Sequence, residues 1–341
     1  METKKYQEIE IAQAAQRLRE GELIAFPSET VYGLGANALL PEAVQQVFTV
    51  KGRPSDNPVI VHVADFEQVK AYVSEFHPLT EKIVKKYWPG PLTLIFPMKA
   101  DSLPVEVTGG LATASFRMPN HPLTLKLIEL AGVPIVGPSA NTSGKPSPTT
   151  SEHVYHDLQG KIAGIVEGGA TKIGVESTVL DLSDVTKAPT ILRPGAITQA
   201  ELAAYLNCEV LVDRHLIKES EAPKSPGMKY KHYSPDTKVL MVRDPDWEAA
   251  LAWVQTTKQR VGVIAGPAIA EKMRYDVAAV YMYPREDVSS ATQGLFAGLR
   301  ALDTELLNLD VLLVQVFVEE GLGMAYMNRL KKAADQKYFE Q

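Results

Sequence analysis

Hydrophobic positions along this chain follow two rhythms. In the first two-thirds, short apolar or β-branched runs predict strands at 23–26, 59–63, 92–96, 112–116, 135–137, 162–166, 178–182 and 190–192. Apolar residues at helical spacing predict helices over 7–20, 41–51, 66–75, 79–87, 122–131, 151–158 and 198–206. Closely set strands broken by Gly/Pro loops argue against a uniformly parallel arrangement, so a mixed, twisted open sheet with helices is expected. Beyond residue 235 the alternation is more regular. Strands at 239–242, 261–265, 278–283 and 311–317 are separated by helices at 246–258, 288–307 and 321–335. That order predicts a smaller, Rossmann-like parallel α/β domain. Gly262, Gly266, Gly321 and Gly323 do not form a dinucleotide fingerprint there. Between the two regions apolar periodicity lapses, and Glu219–Gly227 reads as a linker. The expected division is 1–212, a linker at 213–235, and 236–341.

Composition narrows the class. The 341 residues are 45% hydrophobic and 22% charged, ordinary for a soluble globular protein and enough for two cores. No apolar run reaches the roughly 18 residues of a membrane span. Cys208 is the only cysteine, which excludes an internal disulfide or a Cys-rich zinc site and points to the cytoplasm. The net charge is −6, with 18 Lys/Arg against 23 Asp/Glu in residues 1–212. Strong direct binding to nucleic acid is therefore not expected. A small anion needs only a local cluster.

Such clusters exist. Lys51-Gly52-Arg53-Pro54 leads through Asn57-Pro58 into a strand ending at His62. Proline keeps its predecessor extended, so Arg53 and Asn57 are expected on stiff backbone beside a strand end. Arg117-Met118-Pro119 and Arg193-Pro194 repeat the pattern, and three braced guanidinium groups are expected to converge on one polyanion. Three small-residue loops, 26–36, 136–144 and 174–178, offer hydroxyls and close backbone approach. None has P-loop spacing. His153 and His156 lack a third ligand and read as surface residues, whereas His62 reads as a core histidine with a ligand contact open to it. The segment 225–235 concentrates two tyrosines, a histidine and lysines, a mixture able to close over a nucleotide.

Taken in order, Ser28-Glu29-Thr30-Val31-Tyr32-Gly33-Leu34, Lys51-Gly52-Arg53-Pro54 with Asn57-Pro58, Trp88-Pro89-Gly90-Pro91-Leu92-Thr93, Arg117-Met118-Pro119, Pro138-Ser139-Ala140-Asn141, Gly174-Val175-Glu176-Ser177-Thr178 and Leu192-Arg193-Pro194-Gly195 resemble the YrdC-type threonylcarbamoyl-AMP synthases. The linker and α/β tail resemble the two-domain branch of that family. Ser28 stands where the family often has threonine, and Thr142 varies the loop after Asn141. The resemblance implies a YrdC-like catalytic domain over 1–212, an active-site lid in the linker, and a nucleotidyltransferase. It would join L-threonine, bicarbonate and ATP into threonylcarbamoyl-AMP, with Mg²⁺ carried on ATP and no metal site of its own. Partner proteins would complete threonylcarbamoyladenosine beside the tRNA anticodon. Thr30, His62, Arg117, Gly137 and Ser177 would contact threonine. Lys51, Arg53, Asn57, Thr113, Ser139, Asn141, Arg193 and Tyr233 would contact ATP, with Lys51 and Arg53 catalytic. The alternative from a different class is an RNA-binding, ribosome-associated module.

Overall fold

The computed structural model describes residues 2–55, 57–213 and 233–340. By internal contact the chain divides into two units, 1–143 with 148–172 and 176–230, and 144–147 with 173–175 and 231–341. The expected lid at 213–235 falls mostly on 214–232, outside the described residues.

In the first unit the chain runs β1 (Lys4–Tyr6), α1 (Ile11–Arg19), β2 (Ile24–Phe26), β3 (Gly33–Asn37), α2 (Pro41–Lys51), β4 (Ile60–His62), α3 (Phe66–Lys70) and α4 (Thr80–Tyr87). It continues as β5 (Leu92–Pro97), α5 (Val105–Thr108), β6 (Thr113–Arg117), α6 (Pro122–Ala131), β7 (Ile135–Val136), α7 (Ser151–Leu158), β8 (Gly164–Val166), β9 (Thr178–Asp181), β10 (Thr190–Arg193), α8 (Gln199–Leu206) and β11 (Leu211–Val212). The sheet order is β1-β8-β2-β3-β7-β4-β6-β5-β9-β10-β11, with parallel and antiparallel pairs mixed as expected. Two differences matter. The helix expected over 66–75 ends at Lys70. The last four residues of the loop expected at 26–36 belong to strand β3, because Gly33 and Gly35 lie under Phe26. A Cβ on Gly33 would stand 2.4 Å from the Phe26 Cζ, so glycine here serves sheet packing rather than a turn.

Strand alternation gives the two faces different jobs. Val59, Val61 and Val63, Leu92, Leu94 and Phe96, and Ala114 and Phe116 form the main core with Val44, Val47 and Phe48 of α2 and Leu202 and Leu206 of α8. On the other face Ile24, Phe26, Ile135 and Val166 pack against Ala14 and Leu18 of α1 and Leu127 and Ile128 of α6. Farther across that same face, His62 of β4, Ser115 and Arg117 of β6 and Thr93 of β5 bring in polar side chains, beside a small apolar patch of Ile95, Val179 and Leu192. Pairing aligns His62 with Arg117, and the β5–β6 register brings Thr93 beside Arg117.

The second unit runs β12 (Lys238–Val242), α9 (Trp247–Thr256), β13 (Val261–Ala265), α10 (Pro267–Met273), β14 (Ala279–Met282), α11 (Val288–Leu302), β15 (Val311–Gln315) and α12 (Leu322–Ala333). Its sheet, ordered β12-β15-β13-β14, is parallel throughout, as expected. Helix α10 was not expected. Gly266-Pro267 reads as a break, yet proline at the first helical position is favourable because its missing N–H has no partner there anyway.

Candidate active site

The polar face of the first unit is built around Arg117. Its guanidinium is buried and donates from Nε to the Gly90 carbonyl at 3.2 Å and from Nη1 to Thr30 Oγ1 at 2.9 Å. Nη2 lies 2.8 Å from Glu29 Oε2 in a buried ion pair, off the direction of a hydrogen bond. Of five guanidinium N–H groups, two are thus used in hydrogen bonds. The remaining ones, and both Glu29 oxygens, keep hydrogen-bonding capacity.

Loop 28–31 is rigid for a local reason. Ser28 Oγ accepts from the Thr30 and Val31 amides and donates to the Val31 carbonyl at 2.6 Å. The Thr30 hydroxyl, accepting from Arg117, must then donate to Ser28 across 2.9 Å. The Pro27 carbonyl is held by the Thr124 hydroxyl.

Next to Arg117 on the adjacent strand, the His62 ring is buried, and Nδ1 has no hydrogen-bond partner among the described residues. Burial, with a smaller contribution from the Arg117 charge, pushes its pKa down to about 3, so the imidazole is neutral. Phe26 meets the ring edge-on at 5.3 Å. Gly137 gives the ring its place: a Cβ there would lie 2.6 Å from Nδ1.

Arg193 reaches this face because of a bulge. Ile191, paired with Leu180, faces the main core, and a regular strand would send Arg193 the same way. The register instead slips between Ile191 and Arg193, so Leu192 joins Ile95 and Val179 on the polar face and Arg193 follows it. Its Nε donates to the Ser177 carbonyl and Nη2 to Ser177 Oγ, both at 3.0 Å. Ser177 Oγ continues to Thr93 Oγ1 at 2.8 Å.

The Lys51 segment is braced differently from the expectation. Gly52, with φ 63°, ends α2 in a left-handed cap. The buried Lys51 ammonium donates to the Ser139 and Asn141 carbonyls at 2.5 and 2.6 Å, fixing loop 137–141 to the end of α2. The Arg53 guanidinium turns back on its own loop, donating to the Pro58 carbonyl at 3.2 Å and the Asn57 carbonyl at 3.4 Å. Asn57 itself is fully buried, and neither end of its carboxamide has a hydrogen-bond partner among the described residues.

The structure therefore brings Thr30, His62, Arg117, Gly137, Ser177 and Arg193 to one sheet face, with Thr113 at the start of β6. Lys51, Ser139 and Asn141 form a second group through the Lys51 bonds, with Arg53 and Asn57 in the adjoining loop. Tyr233 belongs to the second unit, its ring 5.1 Å from Phe296. His156 is exposed as expected, but His153 is half-buried and accepts from the Thr149 amide, so it caps the start of α7 rather than standing free.

Comparison with known proteins bears on both units. A family model described as "Telomere recombination", covering the Sua5, YciO and YrdC proteins, matches residues 16–195. A second, "Threonylcarbamoyl-AMP synthase, C-terminal domain", matches residues 197–335. The threonylcarbamoyl-AMP synthase of Bacillus subtilis is 46% identical over 331 residues, spanning 95% of this chain and 93% of its own. The chain belongs to the two-domain Sua5 family of threonylcarbamoyl-AMP synthases. The Pyrococcus abyssi synthase is 44% identical, covering 96% of this chain and 95% of its own. A crystal structure of P. abyssi Sua5 complexed with L-threonine superposes with a TM-score of 0.89 at 42% identity, covering 99% of each chain.

Two residues of this polar face were not singled out from sequence. Glu29 lay inside a motif read for its hydroxyls and glycines, although a carboxylate in so apolar a stretch needs a buried cation. Thr93 gave less signal, since its role follows from the β5–β6 and β5–β9 registers.

Proposed function

We propose that this chain condenses L-threonine, bicarbonate and ATP into threonylcarbamoyl-AMP, acting as a nucleotidyltransferase that releases pyrophosphate. The buried Arg117–Glu29 pair with unused hydrogen-bonding capacity carries this reading. An amino acid offers a carboxylate for the guanidinium and an amine for the carboxylate, and few other ligands match both. His62, Ser177 and Gly137 would complete the threonine pocket, the neutral imidazole accepting or donating without adding charge. Threonine bound to P. abyssi Sua5, at 42% identity over 99% of the chain, supports the same assignment.

The threonine amine adds to bicarbonate with loss of water, giving a carbamate. A carbamate oxygen then attacks the α-phosphorus of ATP, and the bond to the β-phosphate oxygen breaks to release pyrophosphate. Both reactants are anions, so the step needs alignment and positive charge more than a strong base. Arg193 and Arg53 would supply charge, and Asn57, Thr113, Ser139 and Asn141 would orient the nucleotide. Lys51 would act near the phosphates while its present bonds shape loop 137–141. Mg²⁺ would arrive on the phosphate oxygens. The described residues hold no group of three or more His, Cys, Asp or Glu placed to chelate it, so no residue is assigned to that ion.

Partner proteins would consume the reactive adenylate to modify tRNA. The family matches do not favour the RNA-binding alternative, and the net charge of −6 agrees with them. No described helix is long and apolar enough to cross a membrane. Incubation with labelled bicarbonate, threonine and ATP, followed by mass spectrometry, tests the reading: labelled threonylcarbamoyl-AMP is expected, and its absence with active relatives run in parallel overturns it.

A further inference from the structure

We infer that the second unit carries a separate ligand site, a pocket for a small organic cation with an apolar body and a neutral hydrogen-bond acceptor. A cavity of about 510 Å³ lies at the carboxyl ends of β12, β13 and β15, between α9 and α10. Parallel α/β sheets place ligands at this end, and the size suits one small molecule.

The lining selects the ligand. Phosphate is disfavoured, because the seat that α/β folds often give it is filled by the chain's own carboxylate. Glu286 Oε1 accepts from the Ala268 amide at the start of α10, and a Cβ on Gly266 would meet Glu286 Oε2 at 2.3 Å. Asp244 and Glu248 add two more carboxylates, against Lys272 as the one cation in the lining. Neither Asp244 nor Glu248 has an ion-pair partner among the described residues. A ligand here therefore gains by bringing positive charge. Trp247, Ile269 and Met273 form the apolar wall.

Gln315 supplies a separate observation. It lines the cavity and is only 8% exposed. Its Oε1 accepts from the Gly266 amide at 2.8 Å, which fixes the side-chain orientation and leaves the Nε2 amide as a donor without an acceptor among the described residues. A carbonyl on the ligand would meet it. An amino-acid amide combines all three features: ammonium for the carboxylates, side chain for the apolar wall, carbonyl for Gln315. A free amino acid fits less well, since its own carboxylate would face this acidic lining.

Calorimetric titration of the full chain with L-phenylalaninamide tests the inference, with N-acetyl-L-phenylalanine as the anionic control of the same body. Binding of the amide and none of the acid is expected, weakened at least tenfold in the Asp244→Asn, Glu248→Gln double variant. Unchanged thermal melting of that variant would show that the fold is intact. Equal binding of both probes, no binding at millimolar concentration, or binding that survives the double substitution would each overturn the site. Threonine-dependent pyrophosphate release is expected to be unaltered in the variant, which separates this outcome from the function of the first unit.

Discussion

Replacing Asn57 with leucine separates ligand binding from stability. The Asn57 carboxamide is fully buried, and neither Oδ1 nor Nδ2 has a hydrogen-bond partner among the described residues. A buried unpaired polar group costs about 1–3 kcal/mol, so the two ends together cost the ligand-free fold about 2–6 kcal/mol. Leucine has the same branched outline and removes that cost, while repacking takes back about 1–2 kcal/mol. Asn57→Leu is therefore expected to stabilise the ligand-free first unit by about 2 kcal/mol. Nucleotide binding should move the other way. Two lost hydrogen bonds at about 0.5–1.5 kcal/mol each weaken ATP by about 5- to 150-fold. Trp88 is the only tryptophan of the first unit, so its fluorescence, with Trp247 and Trp253 replaced by phenylalanine, can follow urea unfolding of that unit. Calorimetry gives the ATP affinity. A destabilised variant that binds ATP as the parent does would refute the reasoning.

Other outcomes follow from the same geometry. Arg193→Ala removes two charged hydrogen bonds to Ser177 and is expected to lower kcat/KM at least tenfold, read in a steady-state pyrophosphate assay. Gly137→Ala would drive a methyl into the His62 ring, raising the threonine KM tenfold or more with little change in the ATP KM. His62 has a folded-state pKa of about 3 against about 6.5 unfolded, so between these values the unfolded chain binds the extra proton. Stability from this residue is then present above about pH 6.5 and falls as pH drops: about 2 kcal/mol is lost between pH 7 and 5. Urea midpoints at the two pH values should show this loss, and His62→Phe should remove it.

Much of the architecture was legible because burial imposes periodicity. Strands β5, β9 and β10 and helices α2, α6 and α7 fall where alternating or helical apolar spacing put them. Strand β3 was hidden because the close passage of Phe26 demands glycine, whose usual message is a turn. The site residues were visible as types, since arginine beside proline is conspicuous, but their geometry was not. Arg53 braces its own loop and Lys51 pins loop 137–141, so these cations do more local holding than their spacing suggested. The bulge that turns Arg193 to the polar face depends on how β10 pairs with β9, a long-range match that local sequence does not encode. Glu29 escaped notice for a similar reason: its partner lies 88 positions away at Arg117.

Pyrophosphate release from ATP and bicarbonate, measured with and without L-threonine, addresses the central claim most directly. If the Arg117–Glu29 pair holds the amino acid whose carbamate attacks ATP, release should require threonine, and Arg117→Met should abolish the threonine-dependent release. Pyrophosphate released at the same rate without threonine, or threonine-dependent release undiminished in Arg117→Met, would contradict the account.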